Sequence, residues 1–178
     1  MGHSMGGGAA FLAADSLCLN ENNQLKTLVA LAPAESFSNG TSSIASSLNI
    51  NVPTLIFSGS QDGVTIPIEH HIPMYESLGS NCKTFISISG GGHCYFANPN
   101  FNCDFGETLS SSGITITREE QQEITFAFLK NWLDFTLKSH CEDFVDFQSL
   151  LEISTDIMYD QFCFEEDICQ ECQTGDVN

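Results

Sequence analysis

Gly2-His3-Ser4-Met5-Gly6-Gly7-Gly8, running straight into Ala9-Ala10-Phe11-Leu12-Ala13-Ala14, decides how the rest of the chain is read. A serine with glycine two residues before and two after suits a sharp turn between a strand and a helix, where larger side chains would strike the backbone. The Ala-rich stretch behind it is a helix former with small residues on one side. Such a turn exposes the hydroxyl, and the helix N-terminus behind it favours developing negative charge. A serine hydroxyl is a weak nucleophile until a base takes its proton, and that base needs an orienting carboxylate.

The chain offers both partners at the ends of buried strands. Residues 25–33 read as a buried strand stopped by Pro33, and a polar Ser/Asn stretch, 36–48, reads as loop. Pro53-Thr54-Leu55-Ile56-Phe57-Ser58-Gly59 is a second buried strand ending in Ser60-Gln61-Asp62-Gly63, and residues 83–89 are a third, ending in Gly90-Gly91-Gly92-His93. A helix is expected over 68–78 despite Pro73. Thr117-Arg118-Glu119-Glu120 has capping-box form and opens another, with Ile124, Phe128 and Trp132 on one line and Leu129, Leu133 and Leu137 on the next. Phe144, Phe147, Leu151, Met158 and Phe162 fall at roughly helical spacing and predict an acidic amphipathic helix over 143–160. Strands alternating with helices give an α/β class with a mostly parallel sheet, in which groups at the C-terminal strand ends meet along one edge. Asp62 and His93 therefore stand as candidate acid and base, with Glu35 after Pro33 as the competing acid. His3 reads as a packing residue, and His70, His71 and His140 as solvated.

Gly-His-Ser-Met-Gly-Gly-Gly, then Pro-Thr-Leu-Ile-Phe-Ser-Gly-Ser-Gln-Asp, then Ile-Ser-Gly-Gly-Gly-His resembles the alpha/beta-hydrolase superfamily, and most of all its dienelactone-hydrolase-like and cutinase or polyester-hydrolase branch. Gly59, Asp62 and Pro67 match that branch's middle motif, and Ile72-Pro73-Met74-Tyr75 a later one. The order Ser4, Asp62, His93 is the order expected of that fold. The resemblance covers residues 1–139 and implies the C-terminal half of an alpha/beta-hydrolase parallel sheet flanked by helices. It also implies that members carry further strands before the serine, with the loop that supplies a second oxyanion N–H. On this basis the chain is expected to be a fragment, its strands left with an unpaired edge. By implication Ser4 is the nucleophile, Asp62 the acid, His93 the base and the Met5 backbone N–H an oxyanion donor. The implied activity is carboxylic-ester hydrolysis through an acyl-enzyme, with no cofactor and a small or polymeric ester as partner. The rival from another class is a non-catalytic hydrolase remnant that binds a partner through an acidic tail.

Composition bounds these expectations. The 178-residue, 19.4 kDa chain carries 23 Asp and Glu against 5 Lys and Arg, a net charge of −18. Its length fits one domain, and 42% hydrophobic residues can bury a core. The acidity excludes a nucleic-acid binder of the usual kind, which needs clustered Lys and Arg. No run of apolar residues is long enough for a transmembrane helix. Residues 1–140 hold 12 acids and all 5 bases, whereas 141–178 hold 11 acids and no base. That shift marks the expected boundary between a partial catalytic domain, 1–140, and an acidic Cys-rich tail, 141–178.

Eight cysteines favour a secreted or other oxidising compartment. The opening Met1-Gly2-His3-Ser4 lacks a signal-peptide pattern, which fits a chain whose start is missing. Cys94 and Cys103 stand close enough to form a local clip. Cys163, Cys169 and Cys172 supply three zinc ligands where four are needed, so structural disulfides are expected there. Asn39-Gly40-Thr41 is a glycosylation sequon, meaningful in a secreted protein.

Overall fold

The computed structural model describes residues 1–20, 24–36 and 40–164. Cys169, Cys172 and the sequon's Asn39 lie outside these residues. Among the described residues, five strands form one sheet in sequential order: β1 (Gly2–His3), β2 (Leu28–Leu31), β3 (Thr54–Gly59), β4 (Cys82–Ile88) and β5 (Ile157–Cys163). The first four run parallel and β5 runs antiparallel to β4, so the class is α/β with a mostly parallel sheet. The strand that should lead into Ser4 is present, as two residues pairing Gly2 with Ala30 and His3 with Leu31.

The central strands are buried on both faces, which is why they read as continuous apolar runs. Alternation splits their side chains. Leu28, Ala30, Ile56 and Phe85 join a core with Phe11 and Ala14 of helix α1 (Met5–Leu19) and with Met74 and Tyr75 of α3 (His71–Glu76). Val29, Leu31, Leu55, Phe57, Ile86 and Ile88 pack on the other face. There they meet Phe128, Trp132 and Phe135 of α5 (Arg118–Lys138) and Phe144, Phe147 and Leu151 of α6 (Cys141–Ile153).

Several elements depart from expectation. α3 spans only His71–Glu76, with Pro73 in its first turn, where the missing N–H leaves no intrahelical bond broken. The acidic helix predicted over 143–160 stops at Ile153, and the chain returns as β5. Phe144, Phe147 and Leu151 are its true buried stripe; Met158 and Phe162 fit the same period but lie exposed on an edge strand, at 64% and 46%. The stretch expected as loop, 36–48, contains α2 (Ser43–Ser47), capped by Ser42, and α4 (Phe101–Ser110), capped by Asn100, follows the His93 turn where no helix was expected.

α6 and β5 share the core and the sheet of the residues before them, so charge changes at residue 141 while packing continues. β5 covers the edge of β4, and a disulfide joins Cys82 to Cys163 where the two strands pair. A second disulfide joins Cys94 to Cys103, and Cys141 is also disulfide-bonded. No helix of the described residues is long and apolar enough to cross a membrane.

Candidate active site

Ser4 sits between β1 and α1 at φ 55° and ψ −125°, a strained backbone for a side-chain-bearing residue. Hydrogen bonds hold it there: its N–H donates to the Leu31 carbonyl at 3.0 Å, and its own carbonyl accepts from Ala34 N–H at 2.9 Å and Gly8 N–H at 3.1 Å. Glycine is required on both sides of the serine, before it at the pattern's Gly2 but after it at Gly8 rather than at the pattern's Gly6. A Cβ on Gly2 would collide with the Gly6 carbonyl and one on Gly8 with the Ala34 carbonyl, while Gly6 itself faces open space. Met5 opens α1, so its N–H is among the first-turn donors that the helix leaves without an intrahelical acceptor.

The loops after β3 and β4 bring the other two candidates to the serine. His93 Nε2 lies 2.9 Å from Ser4 Oγ, and His93 Nδ1 lies 2.8 Å from Asp62 Oδ2. Asp62 and His93 are buried, and Ser4 is partly exposed. Asp62 Oδ1 accepts from Val64 N–H at 2.9 Å and Thr65 N–H at 2.8 Å, while the Thr65 hydroxyl donates to Oδ2 at 2.9 Å. Burial works to raise the Asp62 pKa; the hydrogen bond and charge of His93 and the Thr65 N–H outweigh it and hold the carboxyl below its ordinary range. Such a group is an anion that can orient an imidazole and stabilise its charged form.

Glu35 lies apart from this row: it is buried and its Oε2 accepts from Ile44 N–H at 2.8 Å. His3 packs its ring on that of His93, with centroids 4.7 Å apart, and its Nε2–H donates to the His93 carbonyl at 3.0 Å. Burial, then the neighbouring His93, push the His3 pKa below its usual value, and the hydrogen bond to the His93 carbonyl works against them. Of the histidines expected in solvent, His140 is exposed and His70 half-buried, its Nδ1 accepting from Glu35 N–H at 3.0 Å. His71 is fully buried directly behind Asp62, its Nε2 3.9 Å from Oδ2. It starts α3 on the side facing the core, a placement that its polar neighbours Glu69 and His70 conceal in the sequence.

Three residues that sequence patterns gave no reason to single out hold the His93 turn. Glu107 of α4 is buried and accepts from His93 N–H at 2.6 Å through Oε1 and from Cys94 N–H at 2.7 Å through Oε2. Gln121 of α5 makes a reciprocal pair with Gly92, both bonds 2.9 Å. Arg118 donates to the Cys94 and Ala97 carbonyls and pairs with Asp104 at 2.6 Å. The capping box at Thr117 was the one local signal near them. It fixes where α5 starts and hence where Arg118 and Gln121 stand. Among the described residues, no group of His, Cys, Asp and Glu is arranged to hold a metal ion.

The family model described as PET hydrolase-like (PETase) matches residues 1–118, a stretch that includes the Ser4 turn, the Asp62 loop and His93. No curated protein matches the chain.

Proposed function

Because the chain belongs to the PET hydrolase-like family, whose general activity is ester hydrolysis, we propose that it is a serine carboxylic-ester hydrolase with Ser4, His93 and Asp62 as its triad. The observation that supports this reading is the hydrogen-bonded row Asp62–His93–Ser4, with contacts of 2.8 and 2.9 Å. His93 Nε2 takes the hydroxyl proton as Ser4 Oγ attacks the ester carbonyl carbon. Asp62, acceptor-only as an anion, receives Nδ1–H and stabilises the imidazolium. The carbonyl oxygen, now negative, is received by the Met5 N–H at the start of α1, where the helix dipole adds to the attraction. His93 then gives its proton to the departing alcohol oxygen, leaving the acyl group on Ser4. Water, deprotonated by the same nitrogen, releases the acid and restores the serine. No cofactor enters these steps.

Polyester is the substrate class that the family's description suggests for this chain. Two disulfides among the described residues support a secreted protein in an oxidising compartment. A fluorophosphonate probe tests the chemistry: it is expected to label the chain at Ser4 and to leave Ser4→Ala unlabelled. Labelling that survives Ser4→Ala would overturn the assignment.

A further inference from the structure

Behind the Asp62 carboxylate lies a buried polar row that the steps above do not use. Ser58, Thr65 and His71 are all buried, His71 and Ser58 completely. Ser58 Oγ lies 2.8 Å from His71 Nδ1, and His71 Nε2 lies 2.9 Å from Thr65 Oγ1, which in turn lies 2.9 Å from Asp62 Oδ2. The Thr65 hydroxyl owns a single proton and has several neighbours. His93 Nδ1 is 2.9 Å away and the Ala32 carbonyl 3.3 Å. An ionised carboxylate only accepts and is the strongest acceptor of the set, so the hydroxyl proton goes to Asp62. His71 Nε2 must then carry a hydrogen and donate it to Thr65, and Nδ1 must accept from Ser58. Each donor in the row points toward the carboxylate.

We propose that His71 and Thr65 are positioning residues for Asp62, with His71 fixing the direction of the Thr65 hydroxyl so that its proton lies on Oδ2 beside the His93 contact. The proposal rests on the triad assigned above. Oδ1 is already fixed by two backbone N–H groups, so Oδ2 is the oxygen whose strength as an acceptor sets how tightly it holds the imidazolium. Donation from Thr65 draws charge off Oδ2 and moderates that hold. Without His71, the remaining donor near the hydroxyl is His93 Nδ1–H, which is engaged by Asp62, and the Thr65 proton is freer to swing toward the Ala32 carbonyl. Burial keeps His71 itself neutral, its pKa pushed down to about 3. No second cation therefore competes for Asp62 near neutral pH.

The pH profile of kcat/KM in the full 178-residue chain reads this directly. Thr65→Val, which removes the hydroxyl at nearly constant volume, is expected to move the acidic limb of that profile upward by about half to one pH unit, the size of one hydrogen bond. Thr65→Ser should leave it in place. His71→Leu should move it in the same direction by less, and His71→Gln, whose amide N–H replaces Nε2–H, should restore it. Hydrolysis of p-nitrophenyl butyrate is expected to fall in kcat, with KM little changed, in Thr65→Val and His71→Leu. An unchanged pH profile in those two variants alongside a lowered Tm would overturn the proposal and leave a packing role. Hydrolysis that survives Ser4→Ala would instead overturn the triad reading, whatever the profile shows.

Discussion

Asp62 is anchored within three residues of itself, by the N–H groups of Val64 and Thr65 and the Thr65 hydroxyl. His93 is anchored from a distance: Glu107 grips its N–H from 14 positions on, and Gln121 grips Gly92 from 29 positions on. The two loops leave adjacent parallel strands and meet at several hydrogen bonds, Gln61 N–H to the Gly91 carbonyl, Gly90 N–H to Ser60 Oγ and His93 to Asp62 among them. Yet the Asp62 carboxylate is held by its own loop, while the His93 turn is also held by α4 and α5. A carboxylate held by its own loop can lose chemistry without losing structure. In a turn held by helices the two fail together, because what holds the residue also holds the helices.

Asp62→Asn tests the first half of that contrast and carries the largest effect. The amide keeps an oxygen for both backbone N–H groups but sets the wrong partner against His93 Nδ1. The expected result is a loss on the order of 10⁴-fold in kcat with Tm nearly unchanged. A Tm that falls with activity would show that the carboxylate's anchoring reaches beyond its own loop. Glu107→Ala tests the second half. It leaves the buried N–H groups of His93 and Cys94 without acceptors, at about 2–5 kcal/mol in urea unfolding, with activity falling as well. A cost under about 1 kcal/mol would mean that the His93 turn holds itself.

Cys103→Ser sharpens the same point. It frees α4 from the residue next to His93 and opens a loop of sequence separation 9, for a loss of about 2–3 kcal/mol. Unchanged thermal stability would remove the disulfide from the turn's support.

The smallest effect is a pH dependence seated behind the acid loop. His71 is neutral when folded, its pKa depressed from 6.5 to about 3, while in the unfolded chain it takes a proton below about 6.5. The unfolded chain therefore binds more protons between those values, and stability falls as pH falls through the window. Asp62 at 3.9 Å favours the proton; burial, His93, His70 and His3 oppose it. At pH 5 the loss attributable to His71 is about 2 kcal/mol. His71→Gln should flatten the Tm profile between pH 7 and pH 5; a profile as steep as that of the parent would exclude His71 as the source.

What the sequence disclosed follows the same division. The Ser4 turn, the strand ends at Gly59 and Ile88 and the Thr117 cap are written in neighbouring residues, so short-range rules of turn and cap reached them. The identity of the groups behind Asp62 and His93 depends on which face of α3, α4 and α5 turns inward. His71 stands in a polar run, and in the helix of Glu107 the apolar residues at helical spacing, Phe101, Phe105 and Leu109, are exposed and mark the face opposite the buried carboxylate. Met158 and Phe162 misled for the converse reason: five apolar residues matched a helical period across the Ser154-Thr155-Asp156 break that ends α6. Their exposure shows that the match had no buried face behind it.

The Cys82–Cys163 bond, spanning 81 positions, turns the chain between its sulfurs into a closed ring containing His93, α4, α5 and α6. Ser4 and Asp62 lie on the arm before the ring. A protease that cuts once in the partly exposed stretch 111–117 opens the ring without dividing the molecule, since each fragment keeps one of the two sulfurs. On a non-reducing gel the nicked protein runs as one species, and only after reduction does the piece bearing α5, α6 and β5 come away. While the disulfide stays oxidised, the molecule is thus insured against a single clip in that stretch.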